Sequence, residues 1–116
     1  MGAHVGSAAL RVGYGIHPWS DPALRDEFYA DDLPIDAARY HIYAAEWTPT
    51  HIDFYVDNQL IRTLHQSPRY AMQFMLGLYE RPSTAEAFPD PSAPYPKSFV
   101  IDYFRAYQPI AGYPRV

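Results

Sequence analysis

The residues of this chain that are best suited to catalysis or metal binding are its histidines and carboxylates, and they form no familiar catalytic or metal-binding motif. The chain has no cysteine, which excludes disulfides, zinc–thiolate sites and thiol nucleophiles. Its five histidines, at positions 4, 17, 41, 51 and 65, lack the spacing of metal ligands. His17 has no carboxylate at an identifiable spacing, so the sequence does not predict a catalytic base there. Glu46 lies among aromatic residues, where a solvated or salt-bridged side chain is expected.

The composition excludes several classes of partner. Hydrophobic residues make up 48% of the 116 residues and charged residues 19%, so a folded globular chain is expected. The net charge of −4, without a Lys/Arg cluster, argues against a nucleic-acid partner. No apolar run approaches the roughly 18 residues that span a membrane. The N-terminal stretch "MGAHVGSAAL" lacks the pattern of a signal peptide.

The elements that must position any site are predicted to be strands, because apolar residues alternate with a period of two. The first strand covers residues 10–16 and carries two glycines on one face. Further strands are predicted at residues 40–47, 52–56, 59–64, 70–79 and 98–108. The pair Asp57-Asn58 tolerates positive φ and predicts a tight hairpin between two of them. Residues 17–39 and 80–97 are predicted as long loops, with a short helical turn near residues 22–28.

About six strands and little helix predict an antiparallel β-sandwich. Larger sandwiches run to roughly 200–250 residues as one domain, so 116 residues fit either a small sandwich or part of a large one. The stretch "YHIYAAEWTPTHIDFYVDNQLIRT", residues 40–63, bears on this choice. It resembles the pattern F-H-x-Y-A-x-x-W-x-P-x-x-I-x-F-Y-V-D-G of glycoside hydrolase family 16, the β-glucanase, laminarinase and lichenase group. Asn58 replaces the glycine of that pattern, a tolerable exchange because Asn also adopts left-handed conformations.

Two further segments, in the family's order, extend the resemblance. "MLGLY", residues 75–79, is similar to the family's M-x-N-L-W, and "FVIDYFRAYQ", residues 99–108, is similar to its closing strand with D-Y-V-R-V-Y. The resemblance implies a concanavalin A-like jelly roll whose concave sheet binds a β-glucan or related polysaccharide. It also implies a secreted protein.

The family's chemistry is retaining hydrolysis of β-1,3 or β-1,4 bonds by two carboxylates in an E-x-D-x-x-E strand. The glutamates of this chain, at positions 27, 46, 80 and 86, are not followed two residues later by Asp. The resemblance therefore implies the C-terminal half of a retaining endo-β-glucanase domain without its catalytic strand, and hydrolysis by this chain alone is not expected. A non-catalytic, lectin-like glycan-binding module and a self-associating structural sandwich remain as alternatives. Exposed strand edges predict a homo-oligomer.

Four residues are predicted to bind polysaccharide. Tyr79 stands where the family has a cleft tryptophan, and alternation places Gln73 on the same concave face, although Tyr79 could also be an ordinary strand aromatic. The side chains on the opposite face are expected to enter the core: Met72, Phe74, Leu76 and Leu78. His17 and Trp19 end the first strand at the rim of such a cleft. For Trp19, burial under its own loop is the competing interpretation.

Two further residues are assigned structural roles. Trp47 is predicted to fill the space between the two sheets. Asp102 matches a position at which many family members hold a structural Ca²⁺, which takes six to eight oxygen ligands; the alternative is a solvent-facing carboxylate. No other cofactor is expected.

Overall fold

The structure is a computed structural model that describes residues 9–79 and 96–111. These residues contain five strands: β1 (Leu10–Ile16), β2 (Glu27–Leu33), β3 (Tyr43–Trp47), β4 (Ile52–Val56) and β5 (Gln59–Leu64). They contain no helix, and so none that is long and apolar enough to cross a membrane.

The strands form two antiparallel sheets, one of β1 and β2 and the other of β3, β4 and β5 in that order. In the first sheet the register pairs Leu10 with Leu33 and Ile16 with Glu27. In the second, β4 is the central strand and pairs with both neighbours. The prediction of an all-β antiparallel fold is confirmed.

The core lies between β1 and the β4–β5 hairpin. One face of β1 is almost fully buried, as the alternation predicts. The Tyr14 ring lies 5.3 Å from the Phe54 ring, centroid to centroid. Further along, Ile16 joins Ile52 and Leu64 in a second buried cluster. The two sheets therefore bury their apolar faces against each other, which is the packing of a β-sandwich.

The hairpin between β4 and β5 turns at Asp57-Asn58, as the sequence predicts. Both residues have positive φ, 49° and 64°. A two-residue turn of this kind matches the right-handed twist of the flanking strands. Residues without a β-branch are needed there, and Asn and Asp tolerate the left-handed region better than most.

The prediction of a continuous loop over residues 17–39 is wrong, because β2 lies within it. Exposed and partly buried residues alternate along β2, but acidic residues occupy both faces and hide the pattern in the sequence. The helical turn predicted near residues 22–28 is also absent. Asp21 instead accepts a hydrogen bond from the Ala23 amide through Oδ1 (2.8 Å), and its carbonyl accepts one from the Leu24 amide (3.3 Å). This is an Asx-type turn, in which the side chain replaces a helix cap.

The strands predicted at residues 70–79 and 98–108 do not form in the described part of the chain. Ala71–Tyr107 forms a compact unit of its own, in which the Phe74 and Phe104 rings stack at 4.1 Å. The side chains expected in the core are about half exposed: Met72, Phe74, Leu76 and Leu78. A period of two yields a strand only where a neighbouring strand supplies hydrogen bonds and the apolar face is covered. Most of the loop predicted at residues 80–97 lies outside the described residues.

Trp47 is the remaining correction. It is 40% exposed rather than buried between the sheets. Its indole N–H donates a hydrogen bond to the Pro68 carbonyl at 3.0 Å. Pro68 is buried, so the indole N–H is satisfied on the inner side while a large part of the ring stays exposed.

Candidate functional site

The pairing of β1 with β2 brings a histidine and a carboxylate together. Ile16 and Glu27 are the last pair of the ladder, so the next residues along each strand, His17 and Asp26, face each other. The His17 Nδ1 atom lies 3.2 Å from each oxygen of Asp26. His17 therefore has the carboxylate partner that the sequence did not reveal. The signal was hidden because nine residues separate the two and β2 was not predicted.

Phe28 supports this pair from β2. Its ring stacks on the His17 imidazole, with centroids 4.9 Å apart and planes inclined by 14°. The ring also lies over Gly13, where an added Cβ would be 2.9 Å from Phe28 Cζ. Gly15 has a φ of +154°, and a Cβ there would meet the Glu27 carbonyl oxygen at 2.1 Å. The glycine face of β1 thus makes room for the strand that carries Asp26 and Phe28.

Trp19 lies beside this cluster and is 87% exposed. This excludes burial under its own loop. Its ring centroid is 6.3 Å from that of His17. Both Trp19 and Ser20 have positive φ, 42° and 77°, which costs of order 1–3 kcal/mol for each such residue. The strained backbone thus holds a large aromatic ring in solvent beside His17.

Gln66 fixes the chain on either side of Asp26. Its Oε1 accepts a hydrogen bond from the Arg25 amide (2.9 Å), and its Nε2 donates to the Arg25 carbonyl (3.0 Å) and to Glu27 Oε1 (2.9 Å). Gln66 is buried, so these bonds are shielded from water. A residue distant in sequence therefore sets where Asp26 stands.

Glu27 is held as a carboxylate by its neighbours. Tyr29 donates a hydrogen bond from Oη to Glu27 Oε2 at 2.6 Å. This bond, and then the one from Gln66, lowers the pKa of Glu27, while the same contact raises the pKa of Tyr29. A hydrogen-bonded carboxylate with a lowered pKa is poorly suited to act as a general acid. Glu27 is therefore a structural residue in this cluster.

A groove of about 540 Å³ opens next to the loop that carries Trp19. Its walls come from Asp21, residues 23–24, 49–50 and 65–70, and include Leu24, Pro49, His65, Arg69 and Tyr70. Asp21, on the same wall, is only two residues from Trp19. The volume falls within the range of small-molecule sites, about 300–1,000 Å³.

The other predicted binding residues lie in the unit Ala71–Tyr107. Tyr79 is largely exposed, and its ring lies over Gly77, where an added Cβ would be 2.9 Å from it. Gln73 is exposed as well. Asp102 is also exposed, and within residues 9–79 and 96–111 no group of three or more His, Asp or Glu side chains could hold a metal ion. Calcium binding at Asp102 stays a prediction.

A second histidine–carboxylate pair lies at the β4–β5 turn. His41 Nδ1 donates to Asp57 Oδ2 at 2.8 Å, and Nε2 lies 2.8 Å from the Asp36 carbonyl oxygen. Asp57 Oδ1 accepts a hydrogen bond from the Ile42 amide at 2.9 Å. These contacts fasten the turn to the segment that precedes β3. The His and Asp of the quoted sequence pattern are thus partners in space.

Comparison with known proteins supports the sequence resemblance. The sequence model described as "Glycosyl hydrolases family 16" matches residues 26–96, more than half of the chain. The match begins at Asp26 and includes β2 to β5. Comparisons with curated proteins and with solved structures found no match. The extent of the family match decides the assignment: the chain belongs to glycosyl hydrolases family 16.

Proposed function

We propose that this chain supplies a β-glucan-binding surface of a family 16 domain and that it does not itself carry the catalytic carboxylate pair. The observation that carries the proposal is Trp19, exposed on strained backbone beside the His17–Asp26 pair. Membership of the family supports a polysaccharide as the ligand. The proposed ligand is a β-glucan of either linkage, β-1,3 or β-1,4.

The chemistry of the site suits a sugar. The C–H groups on one face of a β-glucosyl ring pack against a flat aromatic ring, which is the contact an exposed indole offers. Hydroxyl groups at the edge of the sugar donate hydrogen bonds, and the free ring nitrogen of His17 and the carboxylate of Asp26 can accept them. The groove beside Asp21 gives room for further sugar units of the polysaccharide.

We do not assign catalysis to this chain, because its glutamates do not form the required carboxylate pair. Retaining hydrolysis requires a nucleophile and an acid/base about 5–5.5 Å apart. None of the four glutamates stands in an E-x-D-x-x-E motif. Glu27, the one nearest to the candidate site in sequence, is already bonded to Tyr29 and Gln66.

The test is binding of laminarin and lichenan by isothermal titration calorimetry. Trp19→Ala should weaken binding at least about ten-fold, the effect of losing one stacking contact of about 1.4 kcal/mol. Tyr40→Ala removes a largely exposed aromatic residue (70%) beside the His41–Asp57 pair, away from His17 in the same unit, and should leave binding unchanged. Equal affinity of wild type and Trp19→Ala would contradict the proposed surface.

Catalysis is tested separately by the release of reducing sugar. Wild-type chain should release none from either glucan. Hydrolysis that persists after each glutamate is changed to glutamine would show that the chain contains a catalytic group not recognised from its sequence.

A second candidate function is self-association. It is favoured by the exposed apolar side chains of residues 72–78 and 99–104, since contiguous apolar patches commonly mark interaction surfaces. Size-exclusion chromatography with light scattering should then show a dimer or larger species. A compact monomer of 13.3 kDa would contradict this candidate.

A further inference from the structure

We infer that Asp26 is a positioning residue: it holds His17 in the tautomer protonated at Nδ1, so that Nε2 accepts a hydrogen bond from a hydroxyl of a neutral glycan. The inference deepens the proposed function and rests on it for the identity of the ligand. The tautomer itself can be tested without any glycan.

The tautomer follows from the chemistry of the partner. An ionised carboxylate only accepts hydrogen bonds, and both oxygens of Asp26 lie 3.2 Å from His17 Nδ1. Nδ1 must therefore carry a proton. In a neutral imidazole the other nitrogen, Nε2, then has a free lone pair. Within the described residues no hydrogen bond occupies Nε2.

The orientation of the imidazole is fixed by its second neighbour. The Phe28 ring lies nearly parallel to it at 4.9 Å, which restrains the plane of the imidazole. A 180° flip within that plane would place Cδ2 where Nδ1 now lies and would lose the hydrogen bond to Asp26. Gly13 leaves the space in which the Phe28 ring lies. His17 thus has one nitrogen bound within the protein and one available to a ligand.

Trp19 is the second aromatic ring beside His17. With centroids 6.3 Å apart, a sugar stacked on the indole can bring a ring hydroxyl to the edge of the imidazole. The hydroxyl donates its proton to Nε2 and remains an acceptor for another group. The backbone on either side of Asp26 is clamped by Gln66, so this arrangement exists before a ligand arrives.

The same arrangement selects against acidic glycans. A sulfate or carboxylate group offers only acceptor oxygens, which would oppose both the Nε2 lone pair and the charge of Asp26. Two cations lie near but outside the His17–Asp26 pair: Arg25, mostly exposed with its guanidinium 3.9 Å from Glu27, and Arg69 in the wall of the groove. The net charge of −4 adds a weak long-range repulsion. The site therefore fits a neutral, hydroxyl-rich polysaccharide.

The tautomer is tested by the ¹⁵N shifts of His17 in the full chain at about pH 8, where histidine side chains are ordinarily neutral. Wild type should show Nδ1 protonated and Nε2 unprotonated. Asp26→Asn should give a mixture of tautomers, and Asp26→Glu, which keeps a carboxylate, should restore the wild-type form. Asp32→Asn removes an exposed carboxylate from the same strand and should change nothing. Wild-type His17 protonated at Nε2 would overturn the inference.

Glycan selection is tested by titration with laminarin and with sulfated laminarin. Asp26→Asn should weaken laminarin binding about ten-fold, as expected for one lost hydrogen bond, and Asp32→Asn should not. Wild type should bind the sulfated probe at least about ten-fold more weakly than laminarin. Equal affinity of wild type and Asp26→Asn would overturn the role of Nε2 as acceptor. If Trp19→Ala loses binding while Asp26→Asn does not, the proposed function stands and this inference fails. If wild type binds neither probe, the proposed function fails, and the tautomer measurement still decides whether Asp26 positions His17.

Discussion

The pair His41–Asp57 allows a prediction whose size and pH dependence can both be worked out. The two ring nitrogens of His41 face acceptors only: Asp57 Oδ2 and the Asp36 carbonyl oxygen, each at 2.8 Å. Both nitrogens can be satisfied only if both carry protons, so the folded protein favours the imidazolium. Ile42 completes the cluster by donating its amide to Asp57.

The perturbation is Asp57→Asn. Asparagine is nearly isosteric and tolerates the φ of 49° at this turn, so the hairpin is preserved. Its side-chain carbonyl can still accept the Ile42 amide, while its NH₂ group would face His41 and force the ring to become neutral. A hydrogen bond to a charged group contributes about 1.5–3 kcal/mol. The His41 side chain is 14% exposed but that of Asp57 is 45% exposed, and solvent screening reduces the expected loss to about 1 kcal/mol.

The sign of the pH dependence follows from the two pKa shifts. The hydrogen bond to Asp57, chiefly, raises the pKa of His41 above its ordinary 6.5. Its contribution to stability is therefore complete below pH 6.5 and is lost as the pH rises through the raised folded value. The Ile42 amide, chiefly, lowers the pKa of Asp57 below 3.8, so its contribution is complete above that pH and is lost on acidification through the lowered value. Both contributions are present together between pH 3.8 and 6.5.

The assay is urea unfolding followed by circular dichroism at about pH 5.5 and about pH 9. Asp57→Asn should lower the free energy of unfolding by about 1 kcal/mol at the lower pH and by clearly less at the higher one. Asp32→Asn, which breaks an exposed pair with Arg11 at 3.6 Å, should change it by no more than about 0.5 kcal/mol at either pH. An equal loss at both pH values would refute the assignment of an imidazolium to His41.

Three further predictions concern the frame of the site. Gly15→Ala should destabilise the fold by about 2–4 kcal/mol, because the added Cβ meets backbone and φ is unfavourable, whereas Gly13→Ala meets only a movable ring and should cost clearly less in urea unfolding. Gln66→Ala should lower the free energy of unfolding by about 1–3 kcal/mol in the same assay, because it leaves the Arg25 backbone unpaired, and it should also weaken laminarin binding. A loss of stability with unchanged laminarin affinity would argue that Gln66 does not position the site. Arg62→Ala should lower the free energy of unfolding by about 1–2 kcal/mol, because the guanidinium lies 3.9 Å from the centroid of the Tyr29 ring and donates a hydrogen bond to the Tyr14 hydroxyl. An unchanged urea midpoint would contradict this.

The sequence by itself determined the features that depend on neighbours along the chain. The alternation of β1 and β4, and the hairpin at Asp57-Asn58, follow from the period of two and from turn chemistry, which act over a few residues. The family pattern is read from the same local stretch, and the family match confirms it. For Trp19 the sequence leaves two alternatives, exposure at the rim of a cleft and burial under its own loop, and the structure shows exposure.

Only the tertiary structure decided the features that depend on residues distant in sequence. The strand β2 forms because β1 offers it a ladder and a glycine face, and this register is what brings Asp26 to His17. Gln66 reaches the same segment from 41 residues away. Conversely, residues 70–79 alternate as a strand should, yet they form none in the described part of the chain. The physical reason is common to all of these cases: alternation states which faces a segment offers, but a strand and its site exist only where another segment supplies the hydrogen bonds and covers the apolar face.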